Sequence, residues 1–374
     1  MSESYNGERL LTLRRIHGLT QTEVGTRLEI TQGHLSKLEH SDVPLSEALA
    51  MSASEAYGEP LSFFRVLSHP VSLGPTAFRR KAAMKAAERD RVTELYREAS
   101  RVFAEISSAS GYREFEFPDF NRADPEGVAD SIRTQVGLSA DAPVKNVTRL
   151  VERLGVGVVT ELDDPQHDHD APDLSGISMP TSRNRRPLIA TAAIDRGDAQ
   201  RMTLAHEFGH LLLDKDAASI SCSTRSPQER AAFGFAGALL VPAAVVRERI
   251  HESSTFKDYL SVKADYGISV GAIIMRARDL GAISSERARI LQIQLSSRGW
   301  RKNEPVEVVV ERPRLFAQAL HRVHPSGTFA RASTERGVAP ERLRRWAGDH
   351  RAAPESGLAP VTMLRARARA RARA

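Results

Sequence analysis

The chain has 374 residues, 41% of them hydrophobic, which is long enough for two or three domains with cores of their own. It contains no apolar run near the roughly 18 residues of a membrane span, no basic-then-apolar signal segment and only one cysteine, so we expect a cytoplasmic protein without a membrane partner or an internal disulfide. The formal net charge of +6 comes mainly from five arginines in residues 365–374, and by itself it does not indicate a nucleic-acid partner.

Four short helices are predicted between residues 8 and 64. Apolar residues at helical spacing mark the first and the fourth of these helices. Thr20 and Thr31 are suited to cap the second and the third, because a threonine hydroxyl can accept a backbone N–H at a helix start. We expect the four helices to form one compact all-α bundle, which we assign to residues 1–66.

The second and third of these helices resemble a DNA-binding motif. Residues 19–53, LTQTEVGTRLEITQGHLSKLEHSDVPLSEALAMSA, are similar to the helix-turn-helix of the XRE, or phage-repressor, family. In that family the third helix enters the major groove of double-stranded DNA, and a homodimer reads two half-sites. The residues that the resemblance implicates are Gln32, Gly33, His34 and Lys37 at the base edges, and Gln21 at the phosphates.

The charge of the bundle argues against DNA binding by the bundle alone. Residues 1–64 hold five Lys or Arg against nine Asp or Glu, whereas residues 65–101 hold nine basic against four acidic side chains. DNA binding needs cations at the phosphates, so either a dimer brings two bundles together or the basic segment helps. The alternative for this segment, which includes the cluster Arg79-Arg80-Lys81, is a solvated linker helix. We assign residues 67–110 to a basic linker followed by a helix.

A small sheet and several helices are predicted in the next domain, residues 111–245. Helical patterns cover residues 125–136 and 144–154. Three short apolar runs are typical of strands: 156–159, 177–179 and 187–192. An edge strand of such a sheet can accept an extended peptide substrate by strand addition.

A metal-binding motif follows these strands, within the run TLAHEFGHLLL at residues 203–213. Residues four apart share one face of a helix, so His206 and His210 can bind one Zn²⁺ ion. Glu207 is then placed to act as the general base. The apolar flanks predict a buried helix, where two histidines without a ligand would be costly, and this disfavours the alternative of two surface histidines. Gly209 predicts close approach of a neighbouring backbone, because glycine is otherwise unfavourable inside a helix.

The third metal ligand is expected from the next helix, PQERAAFGFAGALLVP at residues 227–242. Pro227 is suited to the first position of a helix, which places Glu229 in the first turn. The small residues along the middle favour tight packing against a neighbour. The alternative role for Glu229 is a favourable interaction with the helix dipole.

Together these two helices resemble the ImmA/IrrE peptidases. Members of that family pair a TLAHELGH helix with an E-x-x-A-N-x-F-A-x-x-L-L-M-P helix, and the corresponding segments here are TLAHEFGH and ERAAFGFAGALLVP. The resemblance implies a zincin-like domain of the gluzincin type, with His206, His210 and Glu229 as metal ligands and Glu207 as the catalytic residue. Phe233 departs from the pattern, because the family has Asn or Asp there, and losing such a partner of a metal site typically costs about 10- to 100-fold in metal affinity or activity.

Further segments have open interpretations. The loop 163–173 is rich in Asp and His, and it is either a solvated loop or a second metal site. Cys222 is either a small packed thiol or a thiolate that caps the metal. Residues 246–350 are expected to be helical, with a strand-then-helix pattern over 304–345 that has no assigned role. The Arg-Ala repeat that ends the segment 351–374 is expected to be a disordered tail.

The sequence therefore predicts a mostly helical α+β protein with a helix-turn-helix bundle, a zincin-like domain with a small sheet, and a helical C-terminal region. Two functions are compatible with this organisation. In the first, a DNA-binding regulator carries a zinc-dependent endopeptidase that cleaves a repressor protein in a stress or mobile-element response. In the second, the peptidase-like domain is a non-catalytic sensor of a metal or small molecule that changes how the regulator binds its operator. The intact HEFGH favours the first, whereas Phe233 and the fusion to a DNA-binding module favour the second.

Overall fold

The fold is mostly helical and confirms the predicted α+β class. The computed structural model describes residues 5–67, 71–80, 85–164, 174–221, 223 and 226–349, and in these residues it contains sixteen α-helices, a 3₁₀ helix Leu61–Arg65 and one four-stranded sheet. The helices before the HEFGH motif are α1 Glu8–Ile16, α2 Gln21–Arg27, α3 Gln32–Glu39, α4 Glu47–Tyr57, α5 Ala86–Ala109, α6 Pro125–Gln135 and α7 Val147–Arg153. The helices from that motif onward are α8 Gly197–Leu213, α9 Pro227–Leu240, α10 Ala243–Arg249, α11 Phe256–Tyr266, α12 Val270–Asp279, α13 Ser285–Ser297, α14 Leu315–Val323, α15 Thr328–Arg336 and α16 Pro340–Trp346.

Four strands form one mixed sheet in the order β1-β3-β4-β2. The strands are β1 Ala77–Arg80, β2 Gly157–Val159, β3 Leu174–Ser178 and β4 Leu188–Thr191. β3 pairs antiparallel with both β1 and β4, and β2 pairs parallel with β4. The three predicted strands are confirmed as β2, β3 and β4. The sequence does not predict β1, and the linker-helix interpretation is wrong for Arg79 and Arg80, because their backbone belongs to a strand paired with β3.

Helices cover both faces of the sheet. Ile189 of β4 belongs to a core shared with α8 and α9, whereas its neighbours Leu188 and Ala190 belong to a second core that includes α5, the N-terminal bundle and the C-terminal helices. This alternation follows from the two-residue repeat of a β-strand. All four residues of β4 are buried. The sheet is therefore the middle of three layers, with α8 on one face and α5 on the other.

The four predicted helices of the N-terminal bundle are confirmed as α1 to α4. The Thr20 hydroxyl accepts a hydrogen bond from the Glu23 backbone N–H, and the Glu23 carboxylate accepts one from the Thr20 N–H, which makes a capping box at the start of α2. Thr31 caps α3 by accepting a backbone N–H. Arg9 of α1 donates two hydrogen bonds of 2.8 Å to Glu98 of α5. The bundle is thus fixed to the long helix that also packs on the sheet.

The C-terminal region contains helices α10 to α16, but the strand predicted at the start of the segment 304–345 is wrong. No strand forms in residues 304–314, all of which the structure describes. The Val308 carbonyl accepts a hydrogen bond from the Gly197 N–H at 3.2 Å, and the Glu311 N–H donates to the side chain of Gln200 at 2.7 Å. The first turn of α8 binds these backbone groups in place of a partner strand. This explains why the valine-rich run at residues 306–310 does not join the sheet.

No single helix in the described part of the chain is long and apolar enough to cross a membrane. Helices α9 and α10 meet that criterion only as a pair, and the pair is bent by 69°. In this structure α9 contributes Phe235, Ala236 and Leu239 to the buried core.

Candidate metal centre

The helix that carries the HEFGH motif is buried along almost its whole length, as its apolar flanks predict. His206, Glu207 and His210 are each at most 1% exposed. α8 and α9 approach closely at Gly209, where a Cβ atom would lie 3.0 Å from the Phe235 ring and 3.1 Å from a backbone oxygen of α9. This confirms the prediction that the glycine allows close backbone approach.

Glu229 meets the two histidines from the first turn of α9. Ser226 caps that helix by accepting a hydrogen bond of 3.1 Å from the Glu229 backbone N–H. The Glu229 carboxylate oxygens lie 3.4 Å from Nε2 of His206 and 3.4 Å from Nε2 of His210, and the two Nε2 atoms are 3.1 Å apart. One potential ligand atom from each side chain lies within 4.8 Å of the other two. The three side chains implicated as metal ligands therefore converge.

Asp214 adds a further carboxylate to this cluster. It lies one turn after His210 and accepts a hydrogen bond from the Nδ1 of that histidine at 2.7 Å. Burial alone would lower the pKa of His210, but the hydrogen bonds to Asp214 and Glu229 raise it to about 10. Burial alone would raise the pKa of Glu229, but His206 and His210 lower it to about 2. The carboxylates of Asp214 and Glu229 therefore strongly favour a positive charge at the histidines that lie between them.

Glu207 lies beside the cluster and contacts strand β3. The Ser178 hydroxyl donates a hydrogen bond of 2.7 Å to Oε2 of Glu207. At Gly176, two residues earlier on β3, a Cβ atom would lie 2.8 Å from Cγ of Glu207. Only glycine leaves room for the glutamate at that point. The end of β3 therefore sets the position of the Glu207 carboxylate.

Asp214 and Ser178 are not among the site residues that the sequence predicts. Asp214 carried a usable signal, because it lies four residues after His210 and that spacing places two side chains on one helix face. Ser178 carried no such signal in the sequence, because its contact with Glu207 depends on how β3 packs against α8.

Phe233, the departure from the family pattern, lies against His206 with the ring centroids 4.2 Å apart. An apolar ring there cannot orient the imidazole by a hydrogen bond.

The residues implicated in DNA binding lie on the N-terminal bundle. Those of α3 are all exposed: Gln32, Gly33, His34 and Lys37. Gln21 is half-buried at the start of α2, where its amide donates to Glu39 at 2.8 Å and accepts a hydrogen bond from Gln32 at 3.3 Å. The first turn of α3 is thus accessible, and Gln21 orients the Gln32 side chain.

The Asp- and His-rich loop is described only at its start. Asp163 accepts a hydrogen bond from Arg91 of α5 at 2.7 Å, and Asp164 pairs with Arg345 of α16. These ion pairs give the two carboxylates a structural role. The remainder of the loop, in which a second metal site is one alternative, lies outside the described residues. Cys222, with its alternative role as a metal cap, lies outside them as well.

Comparison with known proteins identifies two parts of the chain. Residues 151–278 match the family described as the IrrE N-terminal-like domain. Over 64 residues in its N-terminal region, the chain is 34% identical to the HTH-type transcriptional regulator RamB of Mycobacterium tuberculosis, in strains CDC 1551 and H37Rv. That match covers 17% of this chain and spans 14% of the regulator's length, and no solved structure matches significantly. The two matches therefore support both sequence resemblances: the chain contains an ImmA/IrrE-type domain and, before it, a region similar to a helix-turn-helix transcriptional regulator.

Proposed function

We propose that this protein is a DNA-binding regulator whose ImmA/IrrE-type domain is a zincin-like, zinc-dependent endopeptidase. The observation that carries the proposal is the buried convergence of His206, His210 and Glu229, with Glu207 beside them. Three ligand side chains and a separate carboxylate are the groups that metal-assisted hydrolysis requires. The proposed substrate is a repressor protein, cleaved in a stress or mobile-element response, because the resemblance to ImmA/IrrE peptidases implies that class.

The residues of the cluster fit a zinc ion. Two imidazoles and one carboxylate are a known donor set for catalytic zinc, and three protein ligands leave a coordination position open. Asp214 accepts a hydrogen bond from Nδ1 of His210, which favours the tautomer whose Nε2 lone pair is free for a metal. A zinc ion bound there would supply Lewis acidity for hydrolysis of a peptide bond.

Glu207 performs the proton transfers of the proposed reaction. Its carboxylate takes a proton from the attacking water and delivers it to the nitrogen of the leaving amine. Ser178 holds the carboxylate through the hydrogen bond to Oε2. The glutamate is fully buried between α8 and β3, which limits the orientations that the carboxylate can adopt.

A second candidate function is a sensor without turnover. It is favoured by Phe233, whose ring lies against His206 where the family has a polar side chain. Helix α5 contacts both α1 of the N-terminal bundle and strand β4 of the sheet, so a rearrangement around the metal centre has a physical route to the bundle. In this alternative, metal binding alone changes the affinity for DNA.

Substitutions of His210 and Asp214 are expected to lower the zinc content or the zinc affinity of the protein. The purified protein is expected to hold about one zinc ion per chain, and His210→Ala to lose it, because two ligands remain of three. Asp214→Ala is expected to weaken zinc binding by about 10- to 100-fold, since it removes the group that orients His210. Metal analysis and competition with a chelator measure both effects. Asp216→Ala, which changes an exposed aspartate two residues away, is the matched control. Full zinc occupancy in His210→Ala would contradict the assignment of the site.

We further propose that the N-terminal bundle binds double-stranded DNA as a homodimer, with α3 in the major groove. The amide of Gln32 is suited to an adenine edge, and the ammonium of Lys37 is suited to guanine or phosphate. Dimerisation would place two α3 helices on one operator and bring the few basic side chains of both bundles to its phosphates.

Substitutions on α3 are expected to separate base reading from phosphate binding. Gln32→Ala should reduce discrimination between operator sequences by about 1–3 kcal/mol, because the amide that reads a base edge is removed. If Lys37 contacts phosphate, Lys37→Ala should weaken binding to all DNA sequences. It should also lower by about one the number of counterions released on binding, which is measured as the slope of log K against log salt concentration. Electrophoretic shifts on fragments from around the protein's own gene provide the measurement. Lys257→Ala, an exposed lysine on α11, is the control. No sequence-dependent shift for the wild-type protein would refute the DNA-binding proposal.

A further inference from the structure

Strand β3 is the part of the sheet that touches the proposed general base. Ser178 donates a hydrogen bond to Glu207, and a Cβ atom on Gly176 would lie 2.8 Å from Cγ of the same glutamate. Adjacent strands of a sheet are about 4.8 Å apart, so the backbone of a polypeptide paired with β3 at Gly176 lies within roughly 10 Å of the carboxylate. Pairing with β3 is therefore a direct way to bring a peptide bond to Glu207.

Both edges of β3 are already occupied. β4 pairs with one edge and continues the buried sheet, while β1 pairs antiparallel with the other. The register of the β1 pairing places Phe78 opposite Ile177 and Arg79 opposite Gly176. The backbone of β1 thus lies next to the residue of β3 that contacts Glu207.

The segment that leads into β1 follows β3 closely. The Gly74 N–H donates to the Met179 carbonyl at 3.4 Å, and a Cβ atom on Gly74 would lie 1.7 Å from the Pro180 carbonyl oxygen. No side chain fits in that space, so glycine is what lets the segment approach β3. This segment and β1 lie between the N-terminal bundle and α5, outside the residues 151–278 that match the IrrE N-terminal-like domain.

We propose that the outer edge of β3 is the docking edge for an extended peptide substrate, and that β1 occupies this edge as an internal blocking strand. The inference rests on the proposed peptidase function. Strand addition supplies main-chain hydrogen bonds to any extended peptide, and an antiparallel segment of this chain already shows that the edge accepts one. The protein as described is therefore in a closed state, and a substrate binds only when β1 leaves.

The pairing of β1 with β3 is strong enough to exclude a free peptide from the edge and weak enough to be reversed. A segment tethered in the same chain competes at an effective concentration in the mM range, so a free peptide is at a disadvantage. The pairing is nevertheless short, with four residues and a register shift between Arg79 and Arg80, which leaves few ladder bonds to break. Because β1 lies in the connection between the DNA-binding bundle and α5, a movement of the bundle on α5 would pull directly on the blocking strand.

Gly74→Ala tests the proposal, because the added methyl group clashes with the Pro180 backbone and separates the segment from β3. The probe is a fluorescein-labelled peptide with the sequence of residues 75–82, PTAFRRKA. Its binding is measured by fluorescence anisotropy to the full-length protein in a Glu207→Gln background, so that the probe is not cut. We expect at least about tenfold tighter binding to Gly74→Ala than to the parent protein, since the tethered competitor is removed.

Two further variants make the result interpretable. Gly271→Ala, where the nearest atom would be 3.8 Å from the new methyl group, is the matched control and should bind the probe like the parent. Replacement of residues 77–80 by Gly-Ser-Gly-Ser weakens the strand without a clash and should also expose the edge. Equal binding, or no binding, in all folded variants would overturn the proposal. Tight probe binding by Gly74→Ala, with no cleavage of any protein when Glu207 is restored, would support the docking edge and reject the peptidase function.

Discussion

Glu207→Gln is expected to retain zinc and DNA binding while lowering peptide cleavage by about 10²- to 10⁴-fold, which is the usual cost of losing a general base. The substitution keeps the size of the side chain, and Ser178 can still donate its hydrogen bond to the amide oxygen. It leaves His206, His210 and Glu229 unchanged, so the ligand cluster is preserved. Only the capacity to accept a proton from water is removed.

The measurement compares cleavage of the repressor substrate by zinc-loaded wild type and variant, alongside metal content and DNA binding. The Gly74→Ala background is the better one for this comparison, because it removes the proposed block from the β3 edge. Glu286→Gln, the same carboxylate-to-amide change at an exposed position on α13, controls for an effect of the lost charge alone. If Glu207→Gln regulates transcription normally in cells and the wild type cuts no repressor, the sensor function replaces the peptidase function.

The convergence of the three proposed metal ligands is largely predictable from sequence because each of its parts depends on local rules. The four-residue spacing of His206 and His210 acts within one helix, and the Ser226-Pro227 pair sets where α9 begins, which places Glu229 in the first turn. To bring Glu229 to the two histidines, α8 and α9 must also pack closely, and Gly209 indicates this long-range contact. Local signals combined with one packing signal were sufficient to bring the three side chains together.

The environment of Glu207, the proposed general base, is not predictable in the same way. Ser178 and Gly176 contact Glu207 only because β3 crosses α8, and nothing in their local sequence marks that crossing. The short run Ala77–Arg80 ends in two arginines and lacks a regular apolar-polar alternation, so the usual strand signal is missing. Its strand conformation comes from the partner edge that it meets. The proposed block of the β3 edge is therefore a tertiary property, whereas the proposed ligand set is mainly a local one.

Glu98→Gln is expected to destabilise the protein by about 3–5 kcal/mol at neutral pH, the typical cost of breaking a buried ion pair from one side. The Glu98 side chain is 7% exposed and accepts hydrogen bonds from Arg9 at 2.8 Å and from Arg101 at 2.9 Å. Arg9 also donates to the Phe63 carbonyl, and Arg101 donates to the Arg336 carbonyl. One carboxylate thus neutralises two buried guanidinium groups that join the N-terminal bundle, α5 and the C-terminal helices. Removing its charge takes from Arg9 its buried carboxylate partner and leaves Arg101 paired only with the more exposed Glu105.

The lowered pKa of Glu98 also determines how the stability of the folded protein is expected to depend on pH. Burial alone would raise the pKa of Glu98, but Arg9 and Arg101 hold it well below its usual range. Its contribution to stability is therefore fully present above the pKa of an unfolded glutamate, about 4.3, and is lost as the pH falls below that value toward the folded pKa. Urea unfolding of the full-length protein should show this loss in the wild type and a flatter acid dependence in Glu98→Gln. Glu105→Gln removes a carboxylate that is 25% exposed and also pairs with Arg101, and it should cost only about 0–1 kcal/mol. Equal destabilisation by the two substitutions, or parallel acid dependence in Glu98→Gln and the wild type, would show that the buried carboxylate does not hold the bundle to α5.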